Sequence, residues 1–277
     1  MKKKLTIPQF REMKAEGKKF SAITAYDYPF ASMVNSSNIE VILVGDSLGM
    51  AVLGYNSTVP VTMEDMVHHT KAVVRGAKDT FVVVDMPFGS YNTGITDAVR
   101  NANRLLQEAG ADAVKLEGGV NIVPVVEAMV KGGIPVVGHI GLTPQTATQL
   151  GGFKVQGKSA EAARQLIDDA IQLEQAGAFA LTLECIPAPV AKLITEKIAI
   201  PTIGIGAGPE CDSQVLVIHD ILGLYDRFTP KFVKKYAQLN APIMAALNQY
   251  ATEVTSGEFP GPEYCFGMKE EDLKRLY

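Results

Sequence analysis

The sequence predicts an α/β protein: a single (β/α)8 TIM barrel with an N-terminal capping helix and a C-terminal helical extension. Three observations predict it. Eight short apolar runs alternate with helical patterns along the 277 residues, which matches the size of such a barrel. The runs carry Val and Ile on both faces rather than alternating with polar residues, as parallel strands do when helices cover one side and a filled interior the other. A strand–helix segment also recurs: EAGADAVKLE (108–117) aligns with QAGAFALTLE (175–184) without a gap, and IPVVGH (134–139) with IPTIGI (200–205). Barrels built from similar units leave such repeats.

Taken in order, Thr6 can cap a helix over 7–16, expected to lie across the bottom of the barrel. The strands are expected at 20–25, 41–44, 81–84, 113–116, 134–137, 179–183, 201–205 and 215–218. Between them, Thr96 is placed to cap a helix with Val99, Ala102, Leu105, Leu106 and Ala109 on one face, ended by Gly110. Ser159 is placed to cap another with Ala163, Leu166, Ile167, Ala170 and Ile171, ended by Gly177. Thr229 should open a long helix to about Val254, followed by a Gly- and Pro-rich tail and a short charged helix. No linker divides the chain, so residues 1–277 are read as one domain: a helix in 1–19, the barrel in 20–255 and a tail in 256–277.

Composition narrows the function. A net charge of −4 with scattered acids and bases offers no field for a nucleic-acid backbone. No apolar run approaches the roughly 20 residues that span a bilayer, and the basic start lacks a signal core. A soluble, cytoplasmic protein is expected, without nucleic-acid or membrane partners. Three widely spaced cysteines, Cys185, Cys211 and Cys265, suit free thiols.

In this fold the chemistry gathers at the carboxyl ends of the strands, and five consecutive strand ends here carry ionisable groups. They are Asp46, Asp85, Lys115 with Glu117, His139, and Glu184. A single acid after a strand is usually a turn residue or helix cap. Four converging carboxylates would repel one another unless a cation sat among them. Asp46, Asp85 and Glu117 are hard oxygen donors of the kind magnesium takes. Lys115 shares a face with Glu117; it could hold a substrate carboxylate, stabilise an enolate oxygen, or simply neutralise acid. His139 reads equally as a bonded core residue or a substrate contact, and Glu184 as an acid left free to act as general base. Cys185 precedes IPAP without a nucleophile elbow, which favours packing. His68 and His69 read as surface residues. The glycines of GIGAG (204–208) could form an anion nest or a tight turn, but they lack dinucleotide spacing. Tyr26 to Tyr28 could border the pocket.

Several segments together resemble ketopantoate hydroxymethyltransferases: VGDSLGMAVLGYNSTVPVTMEDMVHHTKAV, VVVDMPFGSY, AVKLEGG, VVGHIGLTPQ, GGFKVQGK, LECIP and PTIGIGAGPECDSQVLV. The likeness runs from about Ser21 to Gly223. It implies a magnesium-dependent (β/α)8 barrel that transfers a hydroxymethyl group from 5,10-methylenetetrahydrofolate to 3-methyl-2-oxobutanoate through a magnesium-stabilised enolate, giving ketopantoate for pantothenate synthesis. It also implies a homo-oligomer, typically a homodecamer. Carried over, Asp46 and Asp85 bind Mg2+, and Glu117 completes the site directly or through water. Asp46, Ser47, Asp85 and Lys115 contact the 2-oxo acid, with His139 in the pocket, and Glu184 accepts the proton. Ser213 stands where the family usually has glycine, and Asn56 where aspartate is frequent. The alternatives are a magnesium-dependent 2-oxo acid lyase or aldolase, and a non-catalytic barrel that binds a small acid.

Overall fold

Eight parallel strands pair in chain order and close on themselves, β1 joining β8. The computed structural model describes residues 2–224 and 229–277. The strands are β1 (Phe20–Thr24), β2 (Val41–Val44), β3 (Phe81–Asp85), β4 (Ala113–Glu117), β5 (Val136–Gly141), β6 (Ala180–Glu184), β7 (Thr202–Ile205) and β8 (Ser213–Leu216). The helices before the barrel's end are α1 (Ile7–Ala15), α2 (Tyr28–Asn35), α3 (Leu48–Ala51), α4 (Met63–Gly76), α5 (Ile95–Gln107), α6 (Val123–Lys131), α7 (Ala160–Gln175), α8 (Ala188–Lys197) and α9 (Ile218–Ile221). Helices α10 (Asn240–Ser256) and α11 (Glu270–Leu273) follow it.

Strand parity divides the core in two, because successive side chains face opposite ways. Ile42, Val44, Val82, Val84, Val114, Leu116, Leu181 and Leu183 face the helices. Val41, Val83, Ala113, Val137, Ile203 and Val215 fill the interior. The bottom is sealed by α1 as expected. Phe10 lies against Phe20, Phe81 and Phe179, with ring centroids 5.1, 5.2 and 6.0 Å away. Two ion pairs tie this end down, Lys4 to Asp112 at 2.7 Å and Lys14 to Asp212 at 2.9 Å.

Local chemistry sets several boundaries. Ser159 caps α7 by accepting from the Ala162 N–H, and Asp27 caps α2 by accepting from that of Phe30. Thr96, expected as a cap, instead lies inside α5; the chain enters this helix through Gly94 at φ +139°, which needs no hydroxyl acceptor. Strand β5 begins two residues later than expected and runs past His139. Ile134 still donates to Met129 O in closing the α6 turn, and Pro135 has no N–H for a ladder. Strand β8 sits two residues earlier than expected, since Ser213 and Gln214 pair with Phe20 and Ser21, and Ile218 already starts α9 with its N–H on Thr24 Oγ1 at 3.0 Å.

The helix expected from Thr229 begins only at Asn240. Residues before it are held by backbone bonds to the end of α9, Tyr236 and Ala237 donating to Ile221 O and Leu239 to Leu222 O. The short charged helix of the tail is α11. No helix among the described residues is long and apolar enough to cross a membrane.

Candidate active site

The strand register stacks the predicted groups at successive levels of the barrel mouth. Asp85 pairs with Lys115, Glu117 with His139, and Gly141 with Glu184. Asp46 and Ser47 follow β2, where Ser47 leads into α3. All seven residues predicted from the sequence thus stand at one end of the barrel. Asp46, Asp85, Lys115, Glu117 and His139 are buried, and the side chain of Glu184 remains 15% exposed.

Among the described residues, one cation serves four carboxylates. Lys115 Nζ lies 3.0 Å from Asp85 Oδ1 and 3.0 Å from His139 Nδ1. The Asp85 contact is an ion pair without hydrogen-bond alignment, which leaves Oδ1 without a hydrogen-bond donor. The other oxygen, Oδ2, accepts from the Asp46 N–H at 3.0 Å. An ammonium can only donate, so His139 Nδ1 is the acceptor and its proton sits on Nε2. That nitrogen faces Glu184 Oε2 at 3.2 Å. Burial, followed by the Lys115 charge, holds His139 well below the usual imidazole range, so it is neutral. Its 3.7 Å approach to Glu117 Oε1 is therefore no ion pair.

The acids are correspondingly hard to ionise. Burial first, then the charge of Asp85, pushes Asp46 up to about 7. Burial and then Asp46 raise Glu117 well above the carboxylate range, while burial alone lifts Glu184 to about 7 against the pull of Lys115. Burial works to lower Lys115, but Asp85, Glu117 and Asp46 outweigh it and leave the ammonium raised.

This donor set fits a hard divalent cation. Asp46, Asp85 and Glu117 offer oxygen ligands around a single described ammonium, and Asp85 Oδ1, 3.0 Å from Lys115 Nζ, is buried beside it without an aligned hydrogen bond. Among the described residues no three His, Cys, Asp or Glu side chains enclose a metal position by themselves. Magnesium does not need such a cage, because it keeps several waters and takes one or two carboxylates plus substrate oxygens.

Two residues of the site, Gln145 and Tyr91, escaped the sequence reading of single positions, whereas Tyr26 was expected to border the pocket. Gln145 Nε2 donates to Asp46 Oδ2 at 2.8 Å and to Met86 O at 2.9 Å, and its backbone N–H donates to Glu117 Oε2 at 3.0 Å. Tyr91 OH lies 2.7 Å from Gln145 Oε1. Tyr26, whose surroundings had been expected to border the pocket, has its hydroxyl 2.8 Å from Ser47 Oγ. Gln145 and Tyr91 carry no charge, so a search for ionisable strand ends passes over them. Their signal lay in the loop after β5, where Gln145 follows Thr143 and Pro144, and in the segment after β3.

Other candidates resolve as structural. His68 is exposed, and His69 Nδ1 lies 2.7 Å from Tyr26 O. A Cβ on Gly206 would stand 2.8 Å from the Phe232 ring, and one on Gly208 2.4 Å from Ala188 Cβ, so close packing demands both glycines. Burial and then Glu184 push the Cys185 thiol up to about 12, which keeps it protonated and a poor nucleophile. Ser213 is buried with its hydroxyl unpartnered.

Fold and site first define a class: a (β/α)8 barrel enzyme with an acid-rich mouth. The family model described as ketopantoate hydroxymethyltransferase then matches residues 4–262, and the chain belongs to that family. It is 65% identical to the 3-methyl-2-oxobutanoate hydroxymethyltransferase of Heliobacterium modesticaldum over 100% of both chains. It is 57% identical to the one from Moorella thermoacetica, over 95% of this chain and 98% of that one. Among solved structures, a phosphonopyruvate hydrolase in complex with oxalate and Mg++ superposes with a TM-score of 0.60 at 13% identity, covering 98% of this chain and 97% of the other. A 2,3-dimethylmalate lyase does so with 0.57 at 14%, covering 98% and 93%. At those identities they share the fold.

Proposed function

We propose that this enzyme transfers a hydroxymethyl group from 5,10-methylenetetrahydrofolate to 3-methyl-2-oxobutanoate, giving ketopantoate, with magnesium held by Asp46, Asp85 and, directly or through water, Glu117. The observation that carries the reading is the polar chain from Glu184 through His139 and Lys115 to Asp85, with steps of 3.2, 3.0 and 3.0 Å. On this reading Glu184 at one end is the base and Asp85 at the other binds the metal. The name of its 65% identical relative supports the substrate and the transfer.

Bound there, magnesium supplies Lewis acidity that lowers the barrier to removing the C3 proton of the 2-oxo acid. The chain's own residues do the rest. Glu184, ionised, takes the C3 proton. Neutral His139 packs its Nε2 3.2 Å from Glu184 Oε2, without hydrogen-bond alignment, and so limits where that base can stand. Lys115, a fixed ammonium, stands ready for the enolate oxygen or the substrate carboxylate. Ser47, aligned by Tyr26, and Asp46 line the same space. Water opens the methylene bridge of the folate, both C–N bonds breaking to release tetrahydrofolate and leave a formaldehyde-level carbon that carries the water oxygen. The C3 carbanion equivalent bonds to that carbon, and the resulting alkoxide takes back the proton held by Glu184 to give the hydroxymethyl group.

The enzyme would work in the cytosol, where its unpaired cysteines stay reduced, and as a homo-oligomer, a homodecamer if it follows the resemblance. The deciding experiment measures ketopantoate from the two substrates with and without magnesium. Formation only with both folate donor and metal is expected. Carbon–carbon cleavage of a larger 2-oxo acid without folate would favour the lyase reading, which the likeness to a 2,3-dimethylmalate lyase keeps as the alternative.

A further inference from the structure

We propose that Gln145, locked by Tyr91, is the positioning residue that fixes Asp46 and Glu117 as a matched pair of oxygen donors. The inference rests on the metal assignment above and concerns what makes that assignment work. Lys115 can neutralise only one of the carboxylates around it, and it stands against Asp85. Asp46 and Glu117 are instead held by neutral donors, both from Gln145: its amide on Asp46 Oδ2 and its backbone N–H on Glu117 Oε2. A neutral donor pins one oxygen of each carboxylate while leaving the charge in place. Asp46 Oδ1 and Glu117 Oε1 are the oxygens left to a cation.

The amide itself has no freedom to turn. Its two N–H groups meet two acceptors, Asp46 Oδ2 at 2.8 Å and Met86 O at 2.9 Å. A flipped amide would face both with a carbonyl oxygen, so the network fixes its orientation. Tyr91 OH closes the arrangement at 2.7 Å from Gln145 Oε1, with Glu117 O 3.1 Å away as the alternative acceptor for its single proton. Tyr91 and Gln145 are buried. One loop thus couples the end of β2 to the end of β4 across the mouth, as groups behind metal ligands do when they orient them.

The test titrates Mg2+ into the metal-free full-length protein by calorimetry, without either substrate. Gln145→Met keeps the side-chain length and the backbone N–H but removes the amide. It should weaken Mg2+ binding about 10- to 100-fold, the range found for such outer partners. In turnover, the magnesium needed for half-maximal rate should rise by a similar factor, and saturating metal should restore most of kcat. Combined with Asp46→Asn, the same change should cost little more, because its partner has already been altered. Tyr91→Phe keeps the ring in place and should give a smaller loss in the same direction; it decides the matter if Gln145→Met does not fold. Wild-type Mg2+ affinity in both variants overturns the inference while leaving the metal assignment standing. A wild-type protein that binds no Mg2+ overturns both.

Discussion

At the residue scale, the site depends on a carboxylate that is costly to ionise where it stands. Glu184 is raised to about 7 by burial, and a base must be ionised to accept a proton. Exchange of the C3 proton of 3-methyl-2-oxobutanoate into heavy water should therefore climb with pH up to about 7 and level off above it. Glu184→Gln should abolish that exchange while still binding the keto acid and magnesium; exchange at the wild-type rate would remove Glu184 from the role of base. The same shift has a consequence for stability. Below the unfolded pKa of about 4.3 both states carry the proton. As pH rises towards about 7 the unfolded carboxyl ionises and the folded one resists, so folding loses free energy over that window. Glu184→Gln should accordingly be more stable than wild type at pH 8 by about 1–3 kcal/mol, after allowance for its partial exposure, and the gain should fade by pH 4.5. Thermal melts at the two pH values check this. Asp85→Ala removes the ion-pair partner of Lys115 and the acceptor of the Asp46 N–H together. It should lower magnesium affinity by at least about 10-fold, read on a metal isotherm.

At the element scale, the register between β5 and β6 holds Glu184, the proposed base, in place. Leu142 N–H donates to Glu184 O at 2.8 Å, and the chain reaches that bond through Gly141 at φ +97°. A Cβ on Gly141 would stand 2.2 Å from Glu184 O, against backbone that cannot move aside. Gly141→Ala thus adds both a left-handed strain and a clash, and should destabilise the fold by at least about 1–3 kcal/mol. Its loss of C3 exchange should exceed its loss of magnesium affinity, since the displaced group is the proposed base; equal losses would count against this account. The same scale shows what the sequence made legible. Strands with Val and Ile on both faces gave β2, β3 and β4 to within a residue, because burial on two sides leaves an unbroken apolar run. Where polar residues enter the ladder, as Ser213 and Gln214 do in β8, or a proline delays it, as Pro135 does before β5, hydrophobicity alone misplaces the edge. The ionisable members of the site were legible through strand parity and charge. Gln145 was not, because a neutral amide reveals its part only through the four partners it meets in space.

At the scale of the whole molecule, the barrel is closed but the long helix α10 that follows it has no face buried against it. None of the residues of α10 is buried. Ile243, Leu247, Tyr250 and Val254 follow the spacing of one apolar helix face and are 44%, 57%, 58% and 45% exposed. Further on, Tyr264, Phe266, Met268 and Leu276 are exposed as well. An isolated helix of this length is marginal in water, and helices in proteins owe most of their stability to packing of such a face. Apolar residues exposed along one helix face are of the kind that interfaces bury, and in the proposed homo-oligomer a second copy of the chain would cover them. Light scattering coupled to size exclusion should therefore find assemblies larger than one chain. Leu247→Glu combined with Tyr250→Glu places two charges on the seam and should shift the protein towards smaller species, with the helical content of the C-terminal segment falling as its partner is lost. Because Asp46, Asp85, Glu117 and Glu184 all come from strands β2 to β6 and their loops, the smaller species should still bind magnesium. A wild-type protein that runs as a monomer with α10 fully helical would show that this face needs no partner.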